Sequence, residues 1–255
     1  MYIDTVFSPY EMESRGDISN KTVAVIDVLR ATSTIVYALW GYRETNNIDK
    51  LMGCSCVIPV EKIEEAVALS KNYKREEILL TGERFCLKPE GFDLGNSPSD
   101  YTPERVQNKT IIFTTTNGTR ALKLAEKARF VTTASFVNAS ACADKVFEKR
   151  NDVIVLCAGR SNKTTKEDSA CAGLIVKLLI DLCQENSVDY ELSDAADISL
   201  KYFDHYKHDL FSLLKSAEAG KNLVEVDLEK DINDCCIIDF LSIATQYKDG
   251  VIKAI

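Results

Sequence analysis

Apolar, β-branched runs alternate with amphipathic stretches along most of the chain. Continuous apolar runs are typical of strands covered on both faces, and they predict strands at about 23–29, 56–60, 78–80, 111–115, 130–134 and 153–158. The stretches between them predict helices at about 34–40, 61–73, 119–127, 138–149 and 167–184. This alternation predicts an α/β fold, which we expect to be a three-layer α/β/α arrangement with a largely parallel or mixed sheet.

The pattern changes near residue 189. Segments at about 195–206, 209–219 and 228–236 predict helices, and a short tail follows at 249–253. We therefore expect an α/β core at residues 1–188 and a mainly helical C-terminal segment at residues 189–255, packed on the core or forming a lid. A length of 255 residues allows one domain or two closely packed lobes, and no internal repeat or Pro/Ser-rich linker marks a boundary.

Composition and charge narrow the range of partners. The chain is 45% hydrophobic and 27% charged, as in ordinary globular proteins, and its formal net charge is −8. This charge argues against nucleic acid as a partner, because phosphate backbones require clustered basic residues. Neither a membrane-spanning run nor a signal peptide is visible, so we expect no membrane partner and a cytoplasmic location. Nine cysteines, an odd number, fit free thiols in a reducing compartment, and a homodimer is the default expectation.

The sequence TIIFTTTNGTRAL, residues 110–122, predicts a buried strand that leads into a helix through a hydroxyl-rich turn. Backbone N–H groups at a helix start lack partners and carry partial positive charge, so this turn suits an anion. The residues that could bind the anion are Thr115, Thr116, Asn117, Gly118 and Thr119, with Arg120 as a charged fork. The alternative is that Thr116 or Asn117 merely caps the helix.

A second strand end carries Asp27 inside an apolar run, followed by Arg30. A buried carboxylate is costly unless it meets a metal ion, a cation or several hydrogen-bond donors. The hydroxyls of Thr32, Ser33 and Thr34 come next. One of these three residues caps the following helix, and the others are candidates for binding an anion.

A third strand end carries Arg160, and the helix after it begins with Glu167 and Asp168. Thr164 and Glu167 fit a capping box, but two adjacent acids exceed what capping needs, so one of them is a candidate metal ligand. The long aperiodic region 81–103 adds Arg84 and Asn96. Long loops inside compact domains often carry functional residues.

Missing motifs also restrict the chemistry. The chain has only two histidines, and it has neither a phosphate-binding P-loop nor a Gly-x-Gly-x-x-Gly fingerprint after a strand. The remaining arginines, hydroxyls and acids predict a site that holds a hard divalent ion through oxygen ligands. Such a site suits a small substrate with two or more acidic groups. The metal and arginines would neutralise a phosphoryl group while water or a carboxylate attacks phosphorus.

Six motifs occur in order: VIDVLRATST, GER, GFDLGNSP, TTTNGTRAL, CAGR and the ED pair at 167–168. In this combination the chain resembles the 2-phosphosulfolactate phosphatase family, from about residue 23 to 173 and more weakly at 216–220 and 231–239. The resemblance implies a magnesium-dependent acid phosphatase on an α/β/α fold. It would convert 2-phosphosulfolactate to sulfolactate and phosphate, a step in coenzyme M biosynthesis. The chain departs from the family at Phe85-Cys86, where a small residue such as glycine is expected near position 86.

The implied substrate carries phosphate, carboxylate and sulfonate groups on three carbons, so several cationic side chains are needed around it. We expect Asp27, Arg30 and Arg120 to be catalytic and Mg²⁺ to be held by Asp27 with Glu167 or Asp168. Whether Asp27 is a metal ligand or a nucleophile stays open. The expected substrate-binding residues are Thr32, Ser33, Thr34, Arg84, Asn96, Thr115, Thr116, Asn117, Gly118, Thr119 and Arg160. The alternatives are a phosphatase for another small phosphorylated hydroxy acid and a non-catalytic protein that binds organic anions.

Overall fold

A computed structural model describes residues 1–42 and 52–255. Within them, ten strands form one mixed sheet: β1 (Tyr2–Val6), β2 (Thr22–Ile26), β3 (Cys56–Val60), β4 (Ile78–Gly82), β5 (Thr110–Thr114), β6 (Phe130–Ala134), β7 (Val153–Cys157), β8 (Glu191–Leu192), β9 (Thr245–Lys248) and β10 (Val251–Ala254). The described helices are α1 (Pro9–Glu13), α2 (Ala31–Trp40), α3 (Ile63–Ser70), α4 (Pro103–Val106), α5 (Gly118–Ala125), α6 (Ala139–Glu148), α7 (Lys166–Glu185), α8 (Asp194–Tyr206), α9 (Leu210–Ser216), α10 (Glu218–Glu225) and α11 (Glu229–Cys236). The predicted α/β class is confirmed, and none of these helices is long and apolar enough to cross a membrane.

The sheet consists of two parallel sets of strands joined by an antiparallel hairpin. Its order is β4-β5-β3-β10-β9-β6-β2-β7-β1-β8. Strands β4, β5 and β3 are parallel to one another, as are β6, β2, β7, β1 and β8. The hairpin β9–β10 pairs antiparallel with β3 on one side and with β6 on the other. Because three successive pairings are antiparallel, the two parallel sets run in opposite senses along the sheet.

The topology contains a repeat that the sequence does not show. The units β2-α2-β3-α3-β4 and β5-α5-β6-α6-β7 have the same order of elements. The first strand of each unit lies between the other two strands of the opposite unit, since β2 separates β6 from β7 and β5 separates β3 from β4. Helices α2 and α5, which follow these two strands, therefore occupy equivalent positions in the fold.

The main core lies around α2 and α5. It combines apolar residues of both helices with residues from both parallel sets, such as Val25 in β2 and Phe113 in β5. Nearly every residue of α2 is buried, and the helix contains no charged residue. A second core lies against α6, α7 and α8, and a smaller one lies against α3. Because α2 and α5 contact strands of both sets, the strand ends that precede them are brought close together.

The C-terminal segment, for which three helices were predicted, contains the four helices α8–α11 and also strands. Strand β8 extends one edge of the sheet, and the hairpin β9–β10 fills its centre. Asp249 and Gly250 form a two-residue turn in which both φ angles are positive, 51° and 77°. Such turns match the twist of an antiparallel pair, so the tail that follows the last helix is an integral part of the sheet.

Candidate active site

A cavity of about 400 Å³ opens beside the ends of β2 and β5. Predicted site residues that line it are Asp27, Arg30, Arg84, Asn96, Thr115, Thr116, Asn117 and Arg160. It is also lined by Glu83, Phe85, Cys86 and Ser161, and by Ala219, Asn222, Leu223 and Glu225 of α10. The three predicted strand-end motifs therefore meet at one cavity, with part of the C-terminal segment alongside.

Asp27 lies where the N-termini of two helices converge. Its Oδ1 accepts a hydrogen bond of 3.2 Å from the N–H of Ala31, the first residue of α2. The N–H of Gly118, the first residue of α5, also interacts with this carboxylate and favours its charged form. A Cβ atom on Gly118 would lie 2.8 Å from Asp27 Oδ2 and 2.6 Å from the Ala31 Cβ. Only glycine therefore allows α5 to approach Asp27 this closely.

The predicted anion cradle at the start of α5 is occupied largely by the protein itself. The N–H and the hydroxyl of Thr116 both donate to Glu83 Oε1, at 2.9 and 2.8 Å. The Thr119 hydroxyl donates to the Thr115 carbonyl and its N–H to the Thr115 hydroxyl. The anions held by this helix start are thus the carboxylates of Asp27 and Glu83, and the side chain of Asn117 makes no capping bond.

The hydroxyls at the start of α2 point into the protein. Thr32 bonds the backbone of Asp27, and Ser33 donates to the Val28 carbonyl. Thr34 donates to the backbone carbonyl of Asn96 at 2.8 Å. All three side chains are fully buried. The structure does not bring them to the cavity, and they instead fix the chain around Asp27.

Glu167 and Asp168 begin α7 and lie buried close to Asp27. Asp168 accepts hydrogen bonds from the backbone N–H groups of Val28 and Gly159, at 2.9 and 3.0 Å. Glu167 Oε2 is buried and has no hydrogen-bond partner among residues 1–42 and 52–255. Burial raises the pKa of all three carboxyl groups, and repulsion between them raises each pKa further. The cavity therefore borders a buried acidic cluster that a cation would stabilise.

The donor atoms of this cluster fit a magnesium ion bound through few protein ligands. Within residues 1–42 and 52–255, no three His, Cys, Asp or Glu side chains are arranged as a ready metal centre. Mg²⁺ is, however, usually held by one or two carboxylates together with water and substrate phosphate. Asp27 lines the cavity, and Glu167 has a buried oxygen with no hydrogen-bond partner among the described residues. Asp168 does not line the cavity, and both of its oxygens accept from backbone N–H groups. Asp27 and Glu167 are therefore the residues that would hold such an ion.

Three arginines line the cavity, and each has a different charge environment. Arg30 forms a buried ion pair with Asp231 of α11. The Arg84 guanidinium donates to the carbonyls of Glu83 and Glu61 and to the hydroxyl of Thr114. It has no carboxylate within 4 Å in the part of the chain that the structure describes, so its positive charge is uncompensated by any ion pair.

Arg160 contacts helix α10 across the cavity. Its Nε donates to Glu218 Oε1 at 2.9 Å. Its Nη2 donates at 2.6 Å to the amide oxygen of Asn222, in the amide orientation that satisfies the hydrogen bonds of that side chain. Helix α10 is thus tied to the end of β7 and forms one wall of the site.

Arg84 and Arg160 begin similar two-residue turns, closed by bridges to Leu87 and Lys163. Both central residues of each turn have positive φ, at 53° and 68° for Phe85 and Cys86. Glycine adopts this conformation without strain, whereas other residues do not. This geometry explains why a small residue is expected near position 86.

Arg120 does not line the cavity. Its guanidinium donates to Asn162 Oδ1 at 2.9 Å and to Glu13 Oε1 at 2.6 Å, on the protein surface. Asn162 belongs to the turn that begins at Arg160. The structure therefore places Arg120 as a tie between α5 and this turn and not among the residues that line the cavity, although it was expected to be catalytic.

Sequence reasoning did not single out Asp231 or helix α10. Asp231 is one of several acids in a polar helix, and no local pattern distinguishes the buried one from its exposed neighbours. Asn222 and Leu223 lie in a short helix with no motif of its own. The weak resemblance at 216–220 and 231–239 was the only signal for either region.

Comparison with known proteins gives a consistent result. The model of a family described as 2-phosphosulpholactate phosphatase matches residues 6–250 of the chain. A probable 2-phosphosulfolactate phosphatase of Caldanaerobacter subterraneus subsp. tengcongensis is 38% identical over 253 residues, covering 99% of this chain and 98% of the relative. Proteins with the same description from Clostridium acetobutylicum and Clostridium tetani are 39% and 38% identical, each over 99% of this chain and 100% of the relative.

Proposed function

Because the chain belongs to the 2-phosphosulfolactate phosphatase family, we propose that it is a phosphoric monoester hydrolase that converts 2-phosphosulfolactate to sulfolactate and phosphate. The observation that carries the proposal is the placement of Asp27. Its carboxylate is fixed by two helix N-termini beside a cavity that three arginines line. An acid and several cationic forks around one small cavity suit the cleavage of a phosphate ester that carries further anionic groups.

The acidic cluster favours an enzyme over a protein that only binds anions. Asp27, Glu167 and Asp168 would repel a bound anion, since their charges lie close to the cavity and are poorly screened by water. A binding protein gains nothing from such repulsion. A phosphatase needs a carboxylate there, either as a nucleophile or to hold a cation.

The proposal includes Mg²⁺, which Asp27 and Glu167 would hold. When bound there, the ion would neutralise charge on the phosphoryl oxygens and assist the attack on phosphorus. The protein itself orients the reacting groups. The Ala31 and Gly118 N–H groups fix the Asp27 carboxylate, Asp168 fixes the backbone next to it, and the arginines hold the anionic groups of the substrate.

Phosphate release from synthetic 2-phosphosulfolactate tests the proposal. We expect turnover that EDTA abolishes and Mg²⁺ restores, with a higher kcat/KM than for 2-phospholactate or p-nitrophenyl phosphate. A higher kcat/KM for another phosphorylated hydroxy acid would favour the second phosphatase assignment. Absence of release under every metal condition, together with saturable binding of the anion, would instead support a binding protein.

The attacking group can be identified in the same system. Hydrolysis in ¹⁸O-labelled water under single-turnover conditions places the label directly in phosphate if water attacks phosphorus. If Asp27 attacks first, sulfolactate leaves and an aspartyl phosphate forms, which water then hydrolyses either at phosphorus, placing the label in phosphate, or at the carboxyl carbon, placing it in the Asp27 carboxylate. Label in Asp27 would therefore exclude direct attack by water, and chemical trapping of the aspartyl phosphate identifies Asp27 as the nucleophile when the label appears only in phosphate.

We also propose that the product serves coenzyme M biosynthesis, as the family resemblance implies. Deletion of the gene from its host should cause 2-phosphosulfolactate to accumulate and coenzyme M to fall. If the coenzyme M level is unchanged and the purified enzyme is active, the same reaction serves a different metabolic pathway.

A further inference from the structure

Arg30 and Asp231 are joined by an ion pair that is almost completely buried. Arg30 follows β2, and Asp231 lies in α11, 201 positions later in the chain. The Arg30 Nη1 atom lies 2.5 Å from Asp231 Oδ2, and each side chain is 3% exposed. A guanidinium buried to this extent requires a counter-charge. Asp231 supplies it from helix α11.

Two further contacts complete a frame around the guanidinium. Ser97 Oγ accepts from Arg30 Nη1 at 3.2 Å and donates to Asp231 Oδ2 at 2.8 Å. Arg30 Nη2 donates to the carbonyl of Cys86 at 2.8 Å. These bonds use both hydrogens on Nη1 and one hydrogen on Nη2. They hold the guanidinium plane from three sides.

The remaining donors of Arg30 are the Nε–H and one Nη2–H. Neither has a hydrogen-bond partner within the described ranges 1–42 and 52–255. On a guanidinium, the Nε–H and an Nη2–H can form one edge, a fork whose geometry matches two oxygens of a carboxylate, phosphate or sulfonate. Arg30 lines the cavity, so a ligand there can reach these donors.

We propose that Asp231 is a positioning residue of the active site, which holds Arg30 so that its free edge binds one anionic group of the substrate. Asp231 does not itself touch the substrate. The pair is neutral overall, so Arg30 contributes directed hydrogen bonds, whereas Arg84, which forms no ion pair with any residue that the structure describes, contributes net positive charge. The inference rests on the proposed phosphatase function for its kinetic test.

The variant Asp231→Asn tests the proposal because it keeps the size of the side chain and one acceptor but removes the charge. We expect kcat/KM for 2-phosphosulfolactate to fall about 10- to 100-fold, as for loss of a charge-assisted hydrogen bond. Arg30→Ala should lower kcat/KM by at least the same factor. The double variant should be no less active than Arg30→Ala alone, because Asp231 acts only through Arg30.

Asp234→Asn is the matched control. Asp234 lies in the same helix and accepts a hydrogen bond from the Tyr42 hydroxyl at 3.2 Å, but it does not line the cavity. This variant should lower the unfolding temperature and leave kcat and KM unchanged. If Asp231→Asn does not fold, Ser97→Ala removes another member of the frame and should lower kcat/KM several-fold.

A binding measurement separates this inference from the proposed function. Inorganic phosphate should raise the unfolding temperature of the wild type, and Asp231→Asn and Arg30→Ala should each reduce this rise, with no further reduction in the double variant. This result would support the inference even if the wild type releases no phosphate from any ester, which would refute the phosphatase assignment. Wild-type kinetics and phosphate protection in Asp231→Asn, or additive losses in the double variant, would overturn the inference.

Discussion

Asp27 is the single residue on which the proposed chemistry depends most. We expect Asp27→Asn to lower kcat roughly 10²- to 10⁴-fold, the range for loss of a positioned catalytic carboxyl group. The same change removes one charge from a buried acidic cluster, so the metal-free variant should unfold at a higher temperature than the wild type. Steady-state kinetics and thermal unfolding in EDTA measure the two effects on one sample.

Asp4→Asn is the control for this prediction. Asp4 is also a buried carboxyl group, but it forms an ion pair with Arg15 at 3.2 Å and lies outside the cavity. Its substitution should lower the unfolding temperature and leave turnover intact. If Asp27→Asn keeps wild-type turnover, Asp27 is neither the nucleophile nor an essential metal ligand.

Arg84 and Arg120 test whether position relative to the cavity decides function. Arg84 lines the cavity without a carboxylate partner, so Arg84→Ala should lower kcat/KM about 10- to 100-fold, mainly through a higher KM. Arg120 pairs with Glu13 at the surface, where such ion pairs contribute about 0–1 kcal/mol to stability. Arg120→Ala should therefore lower kcat/KM by less than about tenfold. Equal losses in the two variants would mean that Arg120 reaches the substrate during turnover.

Residue patterns locate strand ends but do not show which way a side chain points. Asp27, Arg84 and Arg160 could be selected because they directly follow apolar strands, and ligands of α/β sheets bind at the carboxyl ends of strands. The hydroxyls of Thr32, Ser33 and Thr34 looked equally suitable. They are used inside the protein, because short hydroxyl side chains bond nearby backbone as readily as a ligand. Asp231 could not be selected from its local pattern, since its burial depends on packing between distant helices.

At the scale of elements, the hairpin β9–β10 shows how a short signal can be overlooked. Residues 244–255 follow a helical segment, and only the Asp249-Gly250 pair marks a two-residue turn. The strand predictions made elsewhere relied on continuous apolar runs, which this hairpin lacks because its residues alternate between buried and exposed. Similarly, Asp4 interrupts the apolar run of β1, so that strand was not predicted.

The turn of the hairpin β9–β10 should contribute to the stability of the protein. Gly250 has a φ of 77° in the turn, so Gly250→Ala should lower the free energy of unfolding by about 1 kcal/mol through backbone strain. Gly16 is the matched control, because an added Cβ there meets nothing within 4 Å and its φ is not in the left-handed region. Gly16→Ala should be neutral or stabilising by up to about 1 kcal/mol. Denaturant unfolding measures both variants, and equal effects would show that the turn does not constrain the hairpin.

At the scale of the whole molecule, the units β2-α2-β3-α3-β4 and β5-α5-β6-α6-β7 exchange strands, and this exchange explains which residues meet at the site. Each unit places its first strand inside the other unit, so β2 and β5 both become central strands followed by buried helices. Their ends meet, and the ends of β4 and β7 contribute one arginine each from similar turns. The sequence alone predicted the α/β class and most of the strands. It could not predict this exchange, because strand order depends on contacts between residues far apart in the chain and the two units share no visible repeat.

The acidic cluster predicts how stability depends on pH. Burial and mutual repulsion raise the pKa of Asp27, Glu167 and Asp168, so the folded protein binds protons at these sites more tightly than the unfolded chain does. Their contribution to stability is fully present below the ordinary carboxyl pKa of about 4 and is lost as pH rises through the raised values. The unfolding temperature in EDTA should therefore fall as pH rises from about 5 to about 8.

Magnesium should oppose this loss, and the size of its effect should itself depend on pH. Mg²⁺ and protons compete for the same carboxylates, so the increase in unfolding temperature on adding Mg²⁺ should be small near pH 5 and large near pH 8. In Asp27→Asn the pH dependence in EDTA should be weaker and the effect of Mg²⁺ should be reduced at every pH. An equal Mg²⁺ effect at both ends of the range, or one that Asp27→Asn leaves unchanged, would place the ion away from the cluster.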